Sequence, residues 1–230
     1  IHEDLAGLNG FSGLHPYTPP AWCQGLLGLL YDLERSLAEI FGMAAFSLQP
    51  AAGAHGELTG IMIFKRHFER KGERRRRILI PDTAHGTNPA SGALCGYMTV
   101  TIPSDREGGV DLDRLESLMG EDCAGLMLTN PNTLGLFERR IEEIAAIVHR
   151  KGGLLYGDGA NANAFLGQTR PGDQGFDVIH INLHKTFSSP HGGGGPGSGP
   201  VGVVDSLVPY LPVPRIVRTK EGFGWEDDGP

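Results

Sequence analysis

The chain has 230 residues, of which 40% are hydrophobic and 20% are charged, and its formal net charge is −7. A chain of this length and composition can bury its own core, which excludes a disordered protein and a small fold that depends on disulfides. The negative charge argues against a general nucleic-acid-binding protein, because such domains are usually basic.

The sequence alternates between helical patterns and short apolar runs. Apolar residues at spacings of three and four predict a long amphipathic helix over residues 22–41, and shorter helices are predicted at about 57–71, 111–119 and 139–151. Seven short apolar runs separate these helices, and most of them are continuously apolar, which is the composition of strands that are buried on both faces. These predicted strands cover residues 45–48, 78–80, 98–102, 125–128, 154–156, 178–181 and 201–204.

Strands that alternate with helices in this way indicate an α/β fold with a mostly parallel sheet and helices on both faces. Ligands of such sheets bind beyond the carboxyl ends of the strands. Polar clusters follow five of the predicted strands, at residues 49–59, 82–91, 129–133, 158–163 and 182–189. We therefore expect the functional site at this edge of the sheet.

The three cysteines are an odd number without a CxxC pair, and all lie in or beside apolar stretches. We expect them to be reduced thiols in a cytoplasmic protein. No apolar run approaches the 18 residues of a membrane-spanning helix, and the N-terminus lacks the pattern of a signal peptide. The chain starts at Ile1 and ends in an acidic segment, so we expect a fragment of a longer protein.

Lys185 and Asp158 each follow a predicted strand. A lysine inside a buried pocket loses hydration, which lowers its pKa and frees its amine to attack a carbonyl. A carboxylate at a neighbouring strand end suits a pyridoxal phosphate site, where it pairs with the pyridinium nitrogen. Ala160 is small enough to let a flat ring approach. The alternatives are a surface or phosphate-pairing Lys185 and an Asp158 that caps the following segment.

Two further clusters could serve the same site. Gly53 and Ala54 lead into a predicted helix, where small residues expose backbone N–H groups to an anion such as the cofactor phosphate. His85 follows another predicted strand, and its imidazole could stack on a heteroaromatic ring. The alternatives are a plain turn at Gly53 and a hydrogen-bonded loop histidine at position 85.

Two other kinds of site find less support in the sequence. A formal GxGxxG occurs at Gly192, Gly194 and Gly197, but no strand directly precedes it and no helix follows, which disfavours a nucleotide-binding module. His180 and His184 could share one strand face, but no third ligand is evident. We therefore predict no metal site.

Four segments together resemble glycine decarboxylase, the P-protein of the glycine cleavage system. They most resemble the catalytic second subunit of its two-subunit bacterial form, and the resemblance runs from near residue 1 to about residue 214. The segments are residues 82–91, 129–138 (TNPNTLGLFE), 158–163 (DGANAN) and 182–200 (NLHKTFSSPHGGGGPGSGP).

The resemblance implies a fold-type I pyridoxal-phosphate-dependent, transferase-like large domain over residues 1–214, with residues 215–230 starting a truncated C-terminal region. It implies three catalytic residues: Lys185 as the cofactor-binding lysine, Asp158 as the pyridinium partner and His85 as the ring-stacking histidine. The implied cofactor-binding residues are Gly53 and Ala54 at the phosphate, Ala160 under the other ring face, and Asn130, His184 and Thr186 as further contacts.

The activity implied by the resemblance is decarboxylation of glycine, with transfer of the aminomethyl group to the lipoyl arm of H-protein. The implied partners are glycine, lipoylated H-protein and the non-catalytic P-protein subunit of a hetero-oligomer. One departure is Gly157, where we expect a larger residue and therefore looser packing. The family's subunit should also be about twice as long as this chain.

Two alternatives remain from the sequence. One is another fold-type I enzyme, such as an amino-acid decarboxylase or an aminotransferase. The other is a catalytically silent subunit that only scaffolds its partner. Lys185 argues against the silent subunit, because that subunit of the family lacks the lysine.

Overall fold

The computed structural model describes residues 3–187, 189–194 and 197–227. Its helices are α1 (Glu3–Ala6), α2 (Asn9–Ser12), α3 (Gln24–Phe41), α4 (Gly53–Arg70), α5 (Thr87–Leu94), α6 (Leu112–Leu118), α7 (Ile141–Arg150) and α8 (Leu183–Thr186). Its strands are β1 (Ala45–Ser47), β2 (Arg77–Pro81), β3 (Met98–Ile102), β4 (Cys123–Thr129), β5 (Leu154–Gly159), β6 (Val178–Ile181), β7 (Val201–Val203), β8 (Arg215–Thr219) and β9 (Gly222–Glu226). None of the helices in these described ranges is long and apolar enough to cross a bilayer.

Within the described residues, β1 to β7 form one sheet in the order β1-β7-β6-β5-β4-β2-β3. Strands β2 to β6 run parallel to their neighbours in this set, whereas β7 runs antiparallel to both β6 and β1. The predicted mostly parallel sheet is confirmed. The reversed direction of β7 could not be predicted, because a three-residue apolar strand is equally buried in either direction.

Helices cover both faces of the sheet, as predicted. The side chains of β5 show why, because Leu155 and Tyr156 are both fully buried but belong to two different apolar clusters. Leu155 packs in the cluster that includes residues of α3, α6 and α7, and Tyr156 packs in the cluster that includes residues of α4. Side chains that alternate along a strand point to opposite faces, so a sheet covered on both sides needs continuously apolar strands.

The parallel strands bring their carboxyl ends together at one edge. In the register of β4, β5 and β6, Thr129 lies beside Asp158, and Asp158 lies beside His180. The segments that follow β2, β4, β5 and β6 therefore leave the sheet close to one another. These are four of the five polar clusters that the sequence analysis assigned to the functional edge.

Helices α1, α2, α5 and α8 and the hairpin β8–β9 were not predicted. The helix α5 lies inside the polar cluster at residues 82–91, where Pro89 falls in the first helical turn and is therefore compatible with the helix. The hairpin β8–β9 covers most of the predicted C-terminal region, and it docks on α3 through the side chain of Gln24. That amide donates to the Phe223 carbonyl at 2.7 Å and accepts from the Phe223 N–H at 2.8 Å.

The proposed domain boundary near residue 214 stays a prediction. Residues 228–230 of the predicted C-terminal region lie outside the described residues.

Candidate active site

Asp158 lies at the carboxyl end of β5 and is only 3% exposed. Its Oδ1 accepts a hydrogen bond from the Ala160 N–H at 3.0 Å, and its Oδ2 accepts one from the Asn88 amide at 3.2 Å. These two donors fix the plane of the carboxylate. A buried carboxyl group held in this way is suited to pair with a cationic group.

Tyr156 and His180 lie behind Asp158. Their rings are stacked, and the Tyr156 hydroxyl lies 2.5 Å from His180 Nδ1. Burial, followed by the nearby carboxylates of Asp158 and Glu57, raises the pKa of Tyr156 well above its ordinary value. The phenol therefore keeps its proton and can donate it to His180 Nδ1, while His180 Nε2 lies 3.6 Å from Asp158 Oδ1.

Lys185 lies in the short helix α8, which follows β6 at the same sheet edge as Asp158. Its backbone N–H donates to the Asn182 carbonyl at 3.0 Å. The expected burial of its side chain is wrong, because Lys185 is exposed among the described residues. The assignment of Lys185 therefore depends on its position after β6, the strand next to β5 and Asp158.

Gly53 and Ala54 form the first turn of α4, which begins four residues earlier than predicted. The first N–H groups of a helix have no partner within the helix and face an incoming anion. A Cβ atom at Gly53 would collide with the amide of Asn182. The amide oxygen of Asn182 and the hydroxyls of Thr186 and Ser189 are buried, and none of the three atoms has a hydrogen-bond partner in the described residues.

This combination fits a phosphate group. The N-terminus of α4 supplies backbone N–H donors. The unpartnered hydroxyls of Thr186 and Ser189, which are close to Lys185 in the sequence, are further hydrogen-bond donors. Buried polar groups are usually hydrogen-bonded, so these two hydroxyls are available to donate to a bound anion.

His85 is exposed in the segment after β2, and its Nδ1 lies 2.7 Å from the Thr87 hydroxyl. Ligand atoms of His85, Asp158 and Glu57 all lie within 4.8 Å of one another. His85 is thus next to the fixed carboxylate of Asp158, as the sequence analysis expected. The prediction that no metal binds at this group remains untested.

Three predicted site residues have contacts within their own segments. Asn130 Oδ1 accepts from the Glu138 N–H at 2.9 Å, which closes the loop after β4. His184 Nδ1 accepts from the Ser198 N–H at 3.1 Å, and its ring lies 4.0 Å from the ring of His191. Ala160 is half-buried beside Asp158. Their roles as cofactor contacts stay predictions.

Gly157 does not loosen the packing, contrary to our expectation. A Cβ atom at Gly157 would lie 2.9 Å from the ring of Phe176, which is itself buried. The aromatic ring thus occupies the space that a larger residue would have filled.

Several polar side chains of the site were not identified from the sequence. Tyr156 could have been found from strand geometry, because residues two apart in a strand share a face and Tyr156 precedes Asp158 by two. His180 was considered only as a metal ligand. Glu57, Thr87, Asn88 and Ser91 gave no such signal, because they meet only when α5 packs beside α4.

A family model, aminotransferase class-V, matches residues 56–194, which is more than half of the chain. The chain belongs to the aminotransferase class-V family. Asp158, His85 and Lys185 lie inside the matched range, as do all residues that contact Asp158. The fold class predicted from the sequence is therefore confirmed.

Within the aminotransferase class-V family, the chain resembles curated bacterial relatives. It is 61% identical over 224 residues to the "Probable glycine dehydrogenase (decarboxylating) subunit 2" of Desulforamulus reducens, covering 97% of this chain and 46% of the relative. A relative of the same name from Caldanaerobacter subterraneus is 60% identical and covers 100% of this chain and 48% of the relative. The chain therefore spans about half the length of these relatives, and the family resemblance drawn from the sequence is confirmed.

Solved structures share the fold of this chain. A structure of glycine decarboxylase (P-protein) of the glycine cleavage system superposes with a TM-score of 0.82 at 22% identity, covering 97% of this chain and 50% of that one. A sphingosine-1-phosphate lyase from Burkholderia pseudomallei superposes with a TM-score of 0.72 at 17% identity, covering 98% of this chain and 56% of that one. At these identities the two structures bear on the fold alone.

Proposed function

We propose that this chain is the cofactor-binding large domain of a catalytic glycine decarboxylase subunit. It acts in a pyridoxal-phosphate-dependent decarboxylation of glycine that transfers the aminomethyl group to the lipoyl arm of H-protein. The observation that carries the proposal is the buried carboxylate of Asp158, fixed by Asn88 and Ala160 at the sheet edge where Lys185 follows the next strand. The names of the relatives at about 60% identity support the choice of glycine as substrate.

The described residues fit pyridoxal phosphate. The first N–H groups of α4 at Gly53 and Ala54, together with the unpartnered oxygens of Thr186 and Ser189, would hold the phosphate. Asp158 would hold the ring nitrogen, and its negative charge keeps a proton on that atom. When bound, the cofactor supplies the electron sink that makes loss of carbon dioxide from an amino acid possible.

The remaining roles at the site are assigned to individual residues of this chain. Lys185 Nζ would hold the cofactor covalently. His85 and Ala160 would contact its ring. Asn88 and Ala160 orient the Asp158 carboxylate, because their N–H groups donate to its two oxygens. None of these tasks requires a metal ion.

The proposed partners follow from the same reasoning. The relatives are named subunit 2, which supports a hetero-oligomer with a second, non-catalytic P-protein subunit. Lipoylated H-protein is the proposed acceptor of the aminomethyl group. A cytoplasmic location stays a prediction that is based on the three cysteines, all of which are free thiols.

Two alternatives are disfavoured by specific observations. A different fold-type I decarboxylase or aminotransferase would not account for relatives at about 60% identity that share one name. A silent scaffolding subunit would not need Lys185, nor a buried carboxylate held by two donors at the next strand.

Substrate specificity tests this proposal. The full-length protein, assembled with its partner subunit and lipoylated H-protein, is expected to exchange labelled bicarbonate into glycine. It is expected not to exchange bicarbonate into larger amino acids such as alanine or tyrosine, and a Lys185→Ala assembly is the matched control. Exchange into another amino acid at a higher rate than into glycine would contradict the proposed substrate.

A further inference from the structure

Glu57 is a buried carboxylate in α4 that the proposed function leaves without a task. It is 2% exposed, and its two oxygens accept hydrogen bonds from two hydroxyls of α5. Ser91 Oγ donates to Oε1 at 2.5 Å, and Thr87 Oγ1 donates to Oε2 at 2.8 Å. No salt bridge to Glu57 occurs in the part of the chain that the structure describes. A carboxylate buried without a cation is costly unless its position serves another group.

The group that it serves is His85. The Thr87 hydroxyl contacts Glu57 Oε2 on one side and His85 Nδ1, at 2.7 Å, on the other. A hydroxyl has one proton to donate, and an ionised carboxylate can only accept. If Thr87 donates to Glu57, then His85 Nδ1 must carry a proton and donate it to Thr87.

The opposite arrangement is less favourable. If Thr87 donated to His85 Nδ1, then Oε2 of the buried Glu57 would have no donor among the described residues. The Thr87 backbone N–H also points at Nδ1, but at 3.4 Å it is a poor hydrogen bond and offsets little of that loss. The free energy lost by leaving a buried carboxylate oxygen without a donor is larger than the free energy gained from one long contact.

We infer that Glu57 is a positioning residue, which acts through Thr87 to hold His85 in the tautomer with the proton on Nδ1. The free Nε2 then carries a lone pair, so His85 presents a hydrogen-bond acceptor. The same hydrogen bond fixes the rotation of the imidazole. This inference deepens the proposed function, because it specifies how His85 would face the cofactor and the substrate.

The tautomer can be measured without cofactor. In the full-length protein labelled with ¹⁵N-histidine, long-range proton–nitrogen spectra distinguish the protonated ring nitrogen from the unprotonated one, and His85→Gln identifies the resonances of His85. At a pH where His85 is neutral, we expect the proton on Nδ1 in the wild type and in Thr87→Ser. We expect Thr87→Val, which removes the hydroxyl but keeps the shape, to lose that preference.

Ser91→Ala is the matched control, because it removes the other hydroxyl bound to Glu57 and leaves the link from Thr87 to His85 intact. Its His85 tautomer is expected to match the wild type. A wild-type His85 with the proton on Nε2 overturns the inference, and so does an unchanged tautomer in Thr87→Val. If Thr87→Val does not fold, the wild-type and Thr87→Ser spectra still decide the question.

Cofactor titration gives a second readout. Fluorescence titration with pyridoxal phosphate is expected to show a several-fold larger Kd for Thr87→Val than for Ser91→Ala, and equal Kd values contradict the inference. A protein that binds no pyridoxal phosphate at all contradicts the proposed function instead. The two failures are distinguishable, because the tautomer is read in the protein without cofactor.

Discussion

Replacing Asp158 by Asn is expected to lower kcat of the assembled enzyme on the order of 10²–10³-fold while leaving cofactor binding within about tenfold of the wild type. The amide keeps the shape of the side chain but not the charge that holds a proton on the ring nitrogen. The fold should tolerate the change. The new amide group would face the Asn88 amide, and Asn88 can turn to present its buried oxygen, which has no partner in the described residues.

The measurement pairs steady-state decarboxylation with cofactor titration and thermal unfolding. Asp173→Asn is the matched control, because Asp173 pairs with Arg170 at an exposed turn outside the site. An Asp158→Asn enzyme with near-normal kcat would show that the carboxylate does not act on the cofactor. A large loss in Asp173→Asn would show that the assay reports general damage.

Replacing Gly53 by Ala is expected to weaken binding of pyridoxal phosphate by roughly 10- to 100-fold, in line with the 1–3 kcal/mol that overpacking a filled site usually costs. The added Cβ atom would collide with the Asn182 amide. Asn182 is buried directly before α8, so its side chain would have to move within a packed environment next to the helix that carries Lys185. The change therefore disturbs the phosphate end and the lysine end of the site together.

Gly86→Ala is the control for this variant. A Cβ atom at Gly86 meets nothing within 4 Å, and its backbone lies in the ordinary helical region although it is next to His85. Cofactor titration should give a wild-type Kd for Gly86→Ala and a raised Kd for Gly53→Ala. Equal Kd values for the two variants would mean that the first turn of α4 does not contact the phosphate.

The parts of the fold that were predictable are those where burial alone determines the sequence. All seven residues of β4 are buried, and the pattern of α7 places Ile144 and Val148 on one apolar face. The hairpin β8–β9 was not predictable, because its strands are half-buried and exposed and carry no continuous apolar run. Its docking depends on Gln24, nearly 200 residues earlier in the chain.

The residues of the candidate site also fall into a predictable and an unpredictable group. Asp158, His85 and Lys185 were found because each follows a strand whose carboxyl end must reach the same sheet edge. Glu57 was not found, because in the sequence it is an ordinary acidic residue near the start of a helix. Its burial depends on the hydroxyls of Thr87 and Ser91, which belong to a helix that the sequence did not predict.

The exposure of the Lys185 side chain could not be predicted from the sequence. The sequence correctly placed the lysine after β6, but it could not show what surrounds the side chain. Among the described residues the side chain is exposed, and the chain spans about half the length of its relatives. What surrounds the Lys185 side chain in the full-length protein and in the assembly belongs to the proposed function.

The position of the cofactor on the chain tests the central claim most directly. The full-length protein saturated with pyridoxal phosphate is reduced with borohydride, digested and mapped by mass spectrometry. The account predicts one pyridoxyl label, on Lys185, and no label in a Lys185→Ala protein treated in the same way. A label on another lysine, such as Lys151 or Lys220, or no label at saturating cofactor, would contradict it.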